Sequence, residues 1–180
     1  MEKTVVVYQS KYGTTRKYAQ WIAERLGAAI FEASQVDARK LDHYDTVIFG
    51  GGLYAGGILG VSLITGNFAA LKEKKLIVFT VGLADPRNIR QYDPILNRHF
   101  TPEMRSAIQF FHMRGGIGYR NLNFLHKSMM AMLKAKVNKT PPAQRDDEMN
   151  QLLETYGQAV DFTDESAIEP LIACAEGRPR

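Results

Sequence analysis

The sequence predicts an α/β domain, a five-stranded parallel sheet with helices on both faces. Three observations predict it. Apolar, β-branched runs recur at Thr4–Gln9, Thr46–Gly50 and Lys75–Val81 without the polar alternation of a strand that faces water. Helical patterns separate these runs, as parallel pairing requires. Loops rich in Gly, Ser and Thr follow the ends of the first and third runs, where open α/β sheets bind ligands.

The elements follow in order. After Thr4–Gln9 comes a Ser/Gly/Thr turn, then a helix with Tyr18, Ala19, Ile22, Ala23 and Leu26 along one stripe, ended by Gly27. Ala28–Glu32 reads as a short second strand and Thr46–Gly50 as the third, followed by a glycine-rich loop to Gly57. Ser62–Leu71 forms a helix broken near Gly66, and Lys75–Val81 is the fourth strand. Asp85-Pro86 opens a helical stretch, and Thr101-Pro102-Glu103 supplies a cap, a first-turn proline and an acid that complements the helix dipole. Ile108–Met113 is the fifth strand. A final helix begins at Asp146-Asp147-Glu148, with Met149, Leu152, Leu153, Tyr156 and Val160 on its apolar face. Between the fifth strand and this helix, residues 115–142 exceed the simple alternation. Leu122, Leu125, Met129, Met132 and Leu133 recur there at helical spacing, so the insertion carries a helix of its own.

Length and composition narrow the classes. The 180 residues suit a single domain spanning 1–180, and 45% apolar with 23% charged residues is ordinary for a folded soluble chain. The single cysteine, Cys174, rules out an internal disulfide framework, and four scattered histidines give no metal-ligand spacing. No apolar run has the length of a secretory leader or a membrane span, so the expected location is the cytoplasm. Net charge is +4, unevenly spread: residues 104–145 hold eight Lys/Arg and no Asp or Glu, leaving 15 basic against 19 acidic residues elsewhere. Such a block meets an anion, a membrane surface or an acidic partner, or merely solvates a helix. Nucleic acid is not an expected partner.

Two loops carry the chemistry. Ser10-Lys11-Tyr12-Gly13-Thr14-Thr15 combines three hydroxyls, a glycine and a helix start, a setting suited to a phosphate. The same residues also serve a plain turn and helix cap. A Walker loop is absent, which argues against triphosphate hydrolysis. The second loop, Gly50–Gly57, fits a dinucleotide fingerprint at Gly50-x-Gly52-x-x-Ala55 but lacks the acid expected at the end of the next strand. A glycine-rich turn that permits close packing is the other reading.

Ser10-x-x-Gly13-x-Thr15 at the end of the first strand resembles the phosphate loop of flavodoxins. The resemblance runs along nearly the whole chain. It implies a flavodoxin-like fold, a doubly wound sheet in the order 2-1-3-4-5, and bound FMN, with the phosphate on Ser10, Lys11, Tyr12, Gly13, Thr14 and Thr15. It implies one ring face against Gly51, Gly52, Leu53, Tyr54, Ala55 and Gly56, with Tyr54 stacked, and the other against Val81, Gly82, Leu83 and Asp85. Gly115-Gly116-Ile117-Gly118-Tyr119-Arg120 and the Met-rich stretch after it look more narrowly like the protoporphyrinogen oxidase branch of the family. That branch implies an oxidoreductase whose catalysis rests on FMN, with a quinone or redox protein as electron partner. A tetrapyrrole-like or other carboxylated substrate would meet Arg114, Arg120 and Lys127, and residues 115–139 would touch the inner face of a membrane. A flavodoxin-type electron carrier and a flavin-dependent sensor or interaction module are the alternatives.

Overall fold

The computed structural model describes residues 3–118, 122, 124–145 and 147–178. In chain order the elements are β1 (Thr4–Gln9), α1 (Thr14–Leu26), β2 (Ala29–Glu32), α2 (Ala38–Leu41), β3 (Thr46–Tyr54), β4 (Gly57–Ile58), α3 (Ser62–Thr65) and α4 (Phe68–Leu71). There follow β5 (Lys75–Gly82), α5 (Asp93–His99), α6 (Pro102–Ala107), β6 (Ile108–Arg114), β7 (Gly116–Gly118), α7 (Phe124–Lys139), α8 (Asp147–Thr155), β8 (Ala159–Asp161) and α9 (Glu169–Ala175).

The long strands pair in parallel in the order β2-β1-β3-β5-β6, with β4 folded back antiparallel on β3. With β4 set aside, this is the expected 2-1-3-4-5 order. Side chains alternate between two buried faces. Val5, Val7, Val47, Phe49, Leu76 and Val78 pack beneath Leu41, Ile64, Phe68, Leu71 and Leu96. Val6, Ile48, Ile77 and Phe79 pack beneath Tyr18 and Ile22 of α1 and Leu171 and Ile172 of α9. Each such side chain withdrawn fully from water is worth about 1.5–3 kcal/mol, so both faces contribute to holding the sheet. Lys75 donates from Nζ to the Ala175 carbonyl at 2.9 Å, placing a cation at the C-terminal end of α9.

Several elements differ from expectation. The third strand continues through Gly51-Gly52-Leu53-Tyr54 instead of ending at Gly50, because β5 pairs with Gly51 and Gly52 and β4 with Leu53 and Tyr54. The stretch opened by Asp85-Pro86 becomes helical only at Ile89–Tyr92, as a 3₁₀ turn leading into α5. The helix after residue 146 stops at Thr155, with Gly157 at φ +85 just beyond it. Val160 therefore sits in β8, paired with Ile117 of β7, and the last helix is α9, which the sequence reading missed. On α7 the buried residues are His126 and Val137, whereas Leu125, Met129, Met132 and Leu133 are exposed. The spacing showed the helix there, and of its stripe Leu122, just before α7, is buried.

Gly50 is a packing glycine. A Cβ at this position would stand 2.1 Å from Cζ of Phe79. Gly50→Ala should therefore cost about 1–3 kcal/mol of unfolding free energy in urea, with part recovered when Phe79→Leu is added.

His112 of β6 stacks on Tyr92 with ring centroids 3.6 Å apart, and its Nδ1 is hydrogen-bonded to Thr80 Oγ1 at 2.7 Å. Burial pushes the imidazole down to about 4, only partly opposed by the Asp93 charge. The unfolded chain takes up this proton near its ordinary pKa of about 6.5 and the folded chain does not. Stability present above that value should fall as pH drops from about 6.5 to about 4 and level off below. Denaturation midpoints across this range should show the slope, and His112→Asn should flatten most of it.

Candidate functional site

Because β1, β3 and β5 run parallel and in register, their carboxyl ends deliver three loops to one edge of the sheet. These loops surround a cavity of about 720 Å³, within the range of small-molecule and cofactor sites. Ser10, Lys11, Tyr12, Thr14 and Thr15 line it after β1. Gly52, Leu53, Tyr54, Ala55 and Gly56 line it from the end of β3, and Val81, Gly82 and Leu83 from the end of β5. Gly116 and Ile117 of β7 join them, and α7 forms the remaining wall through His126, Met129 and Met130.

The turn after β1 is built to leave backbone donors available. Gly13 takes φ +94 at the N-cap of α1, a left-handed conformation that glycine adopts at little cost. Its N–H donates to Ser10 Oγ at 3.0 Å. No side chain caps α1, and its first turn holds no acid. The leading N–H groups of a 13-residue helix and the Ser10, Thr14 and Thr15 hydroxyls therefore lie together at a cavity with apolar walls, a donor set that fits a phosphate. Thr15 is buried, and a Cβ on Gly52 would come within 3.1 Å of its Oγ1, so glycine lets the first and third loops close together. Gly13 turns the chain without lining the cavity.

The β3–β4 hairpin forms the opposite wall. Tyr54 pairs with Gly57, leaving Ala55 at φ +49 and Gly56 at φ +74 as a two-residue turn. A left-handed alanine costs roughly 1–2 kcal/mol, a strain placed on the cavity rim. Arg98 Nη1 donates to the Gly56 carbonyl at 2.7 Å and steadies the turn. Gly51 lies outside the cavity, where a Cβ would strike Ile58 at 2.4 Å.

Tyr54 is turned toward α7. Its hydroxyl is hydrogen-bonded to His126 Nε2, and the two rings meet edge-on with centroids 4.5 Å apart. Tyr12 meets the same imidazole edge-on at 5.5 Å, and the Lys11 ammonium sits 4.3 Å from the Tyr54 ring centre. Burial, aided by the Lys11 charge, holds His126 below the usual histidine range. Sequence reasoning missed His126. Its signal lay in the row His126, Met130, Val137, which shares a helix face with Leu133.

The remaining candidates separate from the cavity. Asp85 is clasped by Arg87, whose Nε lies 3.0 Å and 2.9 Å from its two carboxylate oxygens. This contact holds the Asp85 carboxyl at about 2, and Asp85 does not line the cavity. Arg114 faces inward, with Nε donating to the Leu83 carbonyl at 2.9 Å and its guanidinium 3.9 Å from the Phe162 ring centre. Lys127 is exposed on α7 and does not reach the cavity, while Lys136 does. Arg120 and Tyr119 lie outside the described residues. Among the described residues no group of His, Cys, Asp and Glu could hold a metal, and no helix is long and apolar enough to cross a membrane.

Among solved structures, the chain is similar to a WrbA-like flavodoxin protein from Agrobacterium tumefaciens at 25% identity. That match covers 55% of this chain and 69% of that one, with a TM-score of 0.43. Oxidised flavodoxin 1 from Bacillus cereus is similar at 18% identity, over 62% and 84% of the two chains, with a TM-score of 0.44. Rubredoxin oxygen:oxidoreductase from Desulfovibrio gigas is similar at 16% identity, over 63% and 30%, with a TM-score of 0.40. No curated protein sequence matches the chain. The family model described as the flavodoxin domain matches residues 5–144, which span every strand of the main sheet and all three cavity loops. With that match over most of its length, the chain belongs to the flavodoxin domain family.

Proposed function

We propose that this chain is an FMN-dependent oxidoreductase. The observation that carries the reading is the uncapped start of α1, with the Ser10, Thr14 and Thr15 hydroxyls, opening onto an apolar cavity of about 720 Å³. In this reading the loop Ser10–Thr15 holds the phosphate, and the ring lies between residues 52–56 and 81–83. Bound there, FMN would supply two-electron redox chemistry. The protein's own part is to bind, orient and handle protons. Lys11 sets a positive potential beside Tyr54, and His126, neutral near pH 7, is able to take up a proton at Nε2. An ionisable group brought into the cavity from α7 favours an enzyme over a simple electron carrier, since a carrier needs only an accessible flavin edge. The resemblance to protoporphyrinogen oxidases supports a tetrapyrrole-like or other carboxylated substrate, with a quinone or redox protein as electron partner.

The phosphate loop makes the first test. The purified chain should bind FMN at least about tenfold more tightly than riboflavin, a difference of about 1.4 kcal/mol. Thr14→Asp should weaken FMN strongly and riboflavin little, since the new carboxylate repels only the phosphate. Equal affinity for the two flavins, by fluorescence titration, would overturn the assignment.

His126 makes the second. His126→Leu should leave FMN affinity largely unchanged while lowering the rate of flavin turnover by about 10²-fold, the usual range for a lost acid–base group. In the wild type kcat/KM should fall as the imidazole protonates below about pH 6.5. The variant should lose that acidic limb. An unchanged pH profile would assign His126 to packing alone.

A further inference from the structure

Behind the α7 wall lies a second cavity of about 400 Å³, enclosed by α7, α8, β8 and the residues after β5. Its walls are apolar, formed chiefly by Met130, Val137, Met149, Leu152, Val160 and Phe162. Most of these side chains are only half-buried. Helix pairs ordinarily interdigitate and leave few voids larger than a water molecule, so a seam of this size between α7 and α8 is unlike a packed core. Among the residues whose side chains the structure describes, the polar ones lining it are Thr140, Thr155 and Lys136. Lys136 is the one charged residue among them. It also lines the larger cavity. Leu133 lines both cavities as well and is 46% exposed, so the passage between them opens to solvent.

We infer that this second cavity is a binding site for an anionic amphiphile, a long-chain carboxylate whose apolar chain fills the α7–α8 seam and whose head pairs with Lys136. An apolar chamber with one cation at its neck matches that chemistry: the chain gains by leaving water, and the head keeps a charged partner. Fixed this way, the head lies at the wall of the larger cavity, and a lipophilic anion is presented to whatever group that cavity holds. The inference goes beyond the proposed redox activity and does not depend on it: the chamber shares Leu83, Met130, Leu133 and Lys136 with the larger cavity but none of Ser10–Thr15.

The test is direct binding to the full-length chain, by calorimetry below the onset of micelles. Dodecanoate should bind one per chain. Affinity should rise by about fourfold per methylene along the series from hexanoate, then level off once the seam is full, which adsorption to a flat surface would not produce. Dodecanol should bind more weakly than dodecanoate, and Lys136→Gln should abolish that difference. Leu152→Trp, or Thr155→Trp from the same helix should the first fail to fold, should fill the seam and lower dodecanoate affinity at least about tenfold, leaving the preference for FMN over riboflavin intact. Absence of binding, undiminished binding to a folded Trp variant, or equal affinity for acid and alcohol in the wild type would overturn the inference. A chain that binds dodecanoate but shows no preference for FMN would sink the proposed function and leave this site standing.

Discussion

Parallel pairing of β1, β3 and β5 is the constraint from which the site follows. The register places Gln9 beside Gly51 and Gly51 beside Thr80, so three strands end at the same level of the sheet. The turns beyond them have no choice but to meet. That pairing is stable because both faces of the sheet are covered. Val6, Ile48 and Ile77 lie under α1 and α9, and Val5, Val47 and Leu76 under the helices of the other side. A parallel sheet with one face in water would leave these β-branched runs exposed, and the edge that carries the cavity would lose its footing.

Glycines at the end of β3 divide their labour according to what stands opposite. Gly50 yields to the Phe79 ring, Gly51 to Ile58 and the Leu59 carbonyl, and Gly52 to the Thr15 hydroxyl. Only Gly52 of these three reaches the cavity. The glycine-rich run thus serves close packing at its start and the cavity wall at its end. The left-handed Ala55 marks where packing gives way to a turn on the rim, and Arg98 holds that turn from outside.

The insertion after β6 changes the character of the site. α7 does not stand apart as a solvated arm. It closes the cavity with His126 locked against Tyr54, and it leaves Phe124, Leu125 and Met132 in solvent. Its basic residues are correspondingly split, with Lys136 at the cavity and Lys127 outside. Arg114, at the root of the insertion, binds the Leu83 carbonyl and covers Phe162, so it serves the fold.

By itself the sequence determined the five strands of the main parallel sheet and the loop Ser10–Thr15, and resemblance to flavodoxins supplied the strand order; the short β4, β7 and β8 carried no such signal. Unbroken β-branched runs can only be buried on both faces, and a hydroxyl-and-glycine turn before a helix has few other local solutions. It also determined that residues 124–139 form a helix. Which way that helix faces was settled only by tertiary contacts. Helical spacing reveals that Leu125, Met129, Met132 and Leu133 share a side, but the neighbours that could bury them come from β3, β5 and α8, far away in the chain. Those neighbours fix the helix on two flanks: Tyr54 is hydrogen-bonded to His126 and meets the Met129 sulfur at 3.8 Å, Met130 and Val137 line the cavity shared with α8, and Leu125 is left exposed. The end of β3 at Leu53-Tyr54 was hidden for a similar reason, since its partner is the two-residue β4, too short to carry any pattern of its own. Local chemistry is written in residue type and spacing; the choice between two faces of one helix depends on what the rest of the chain places beside it.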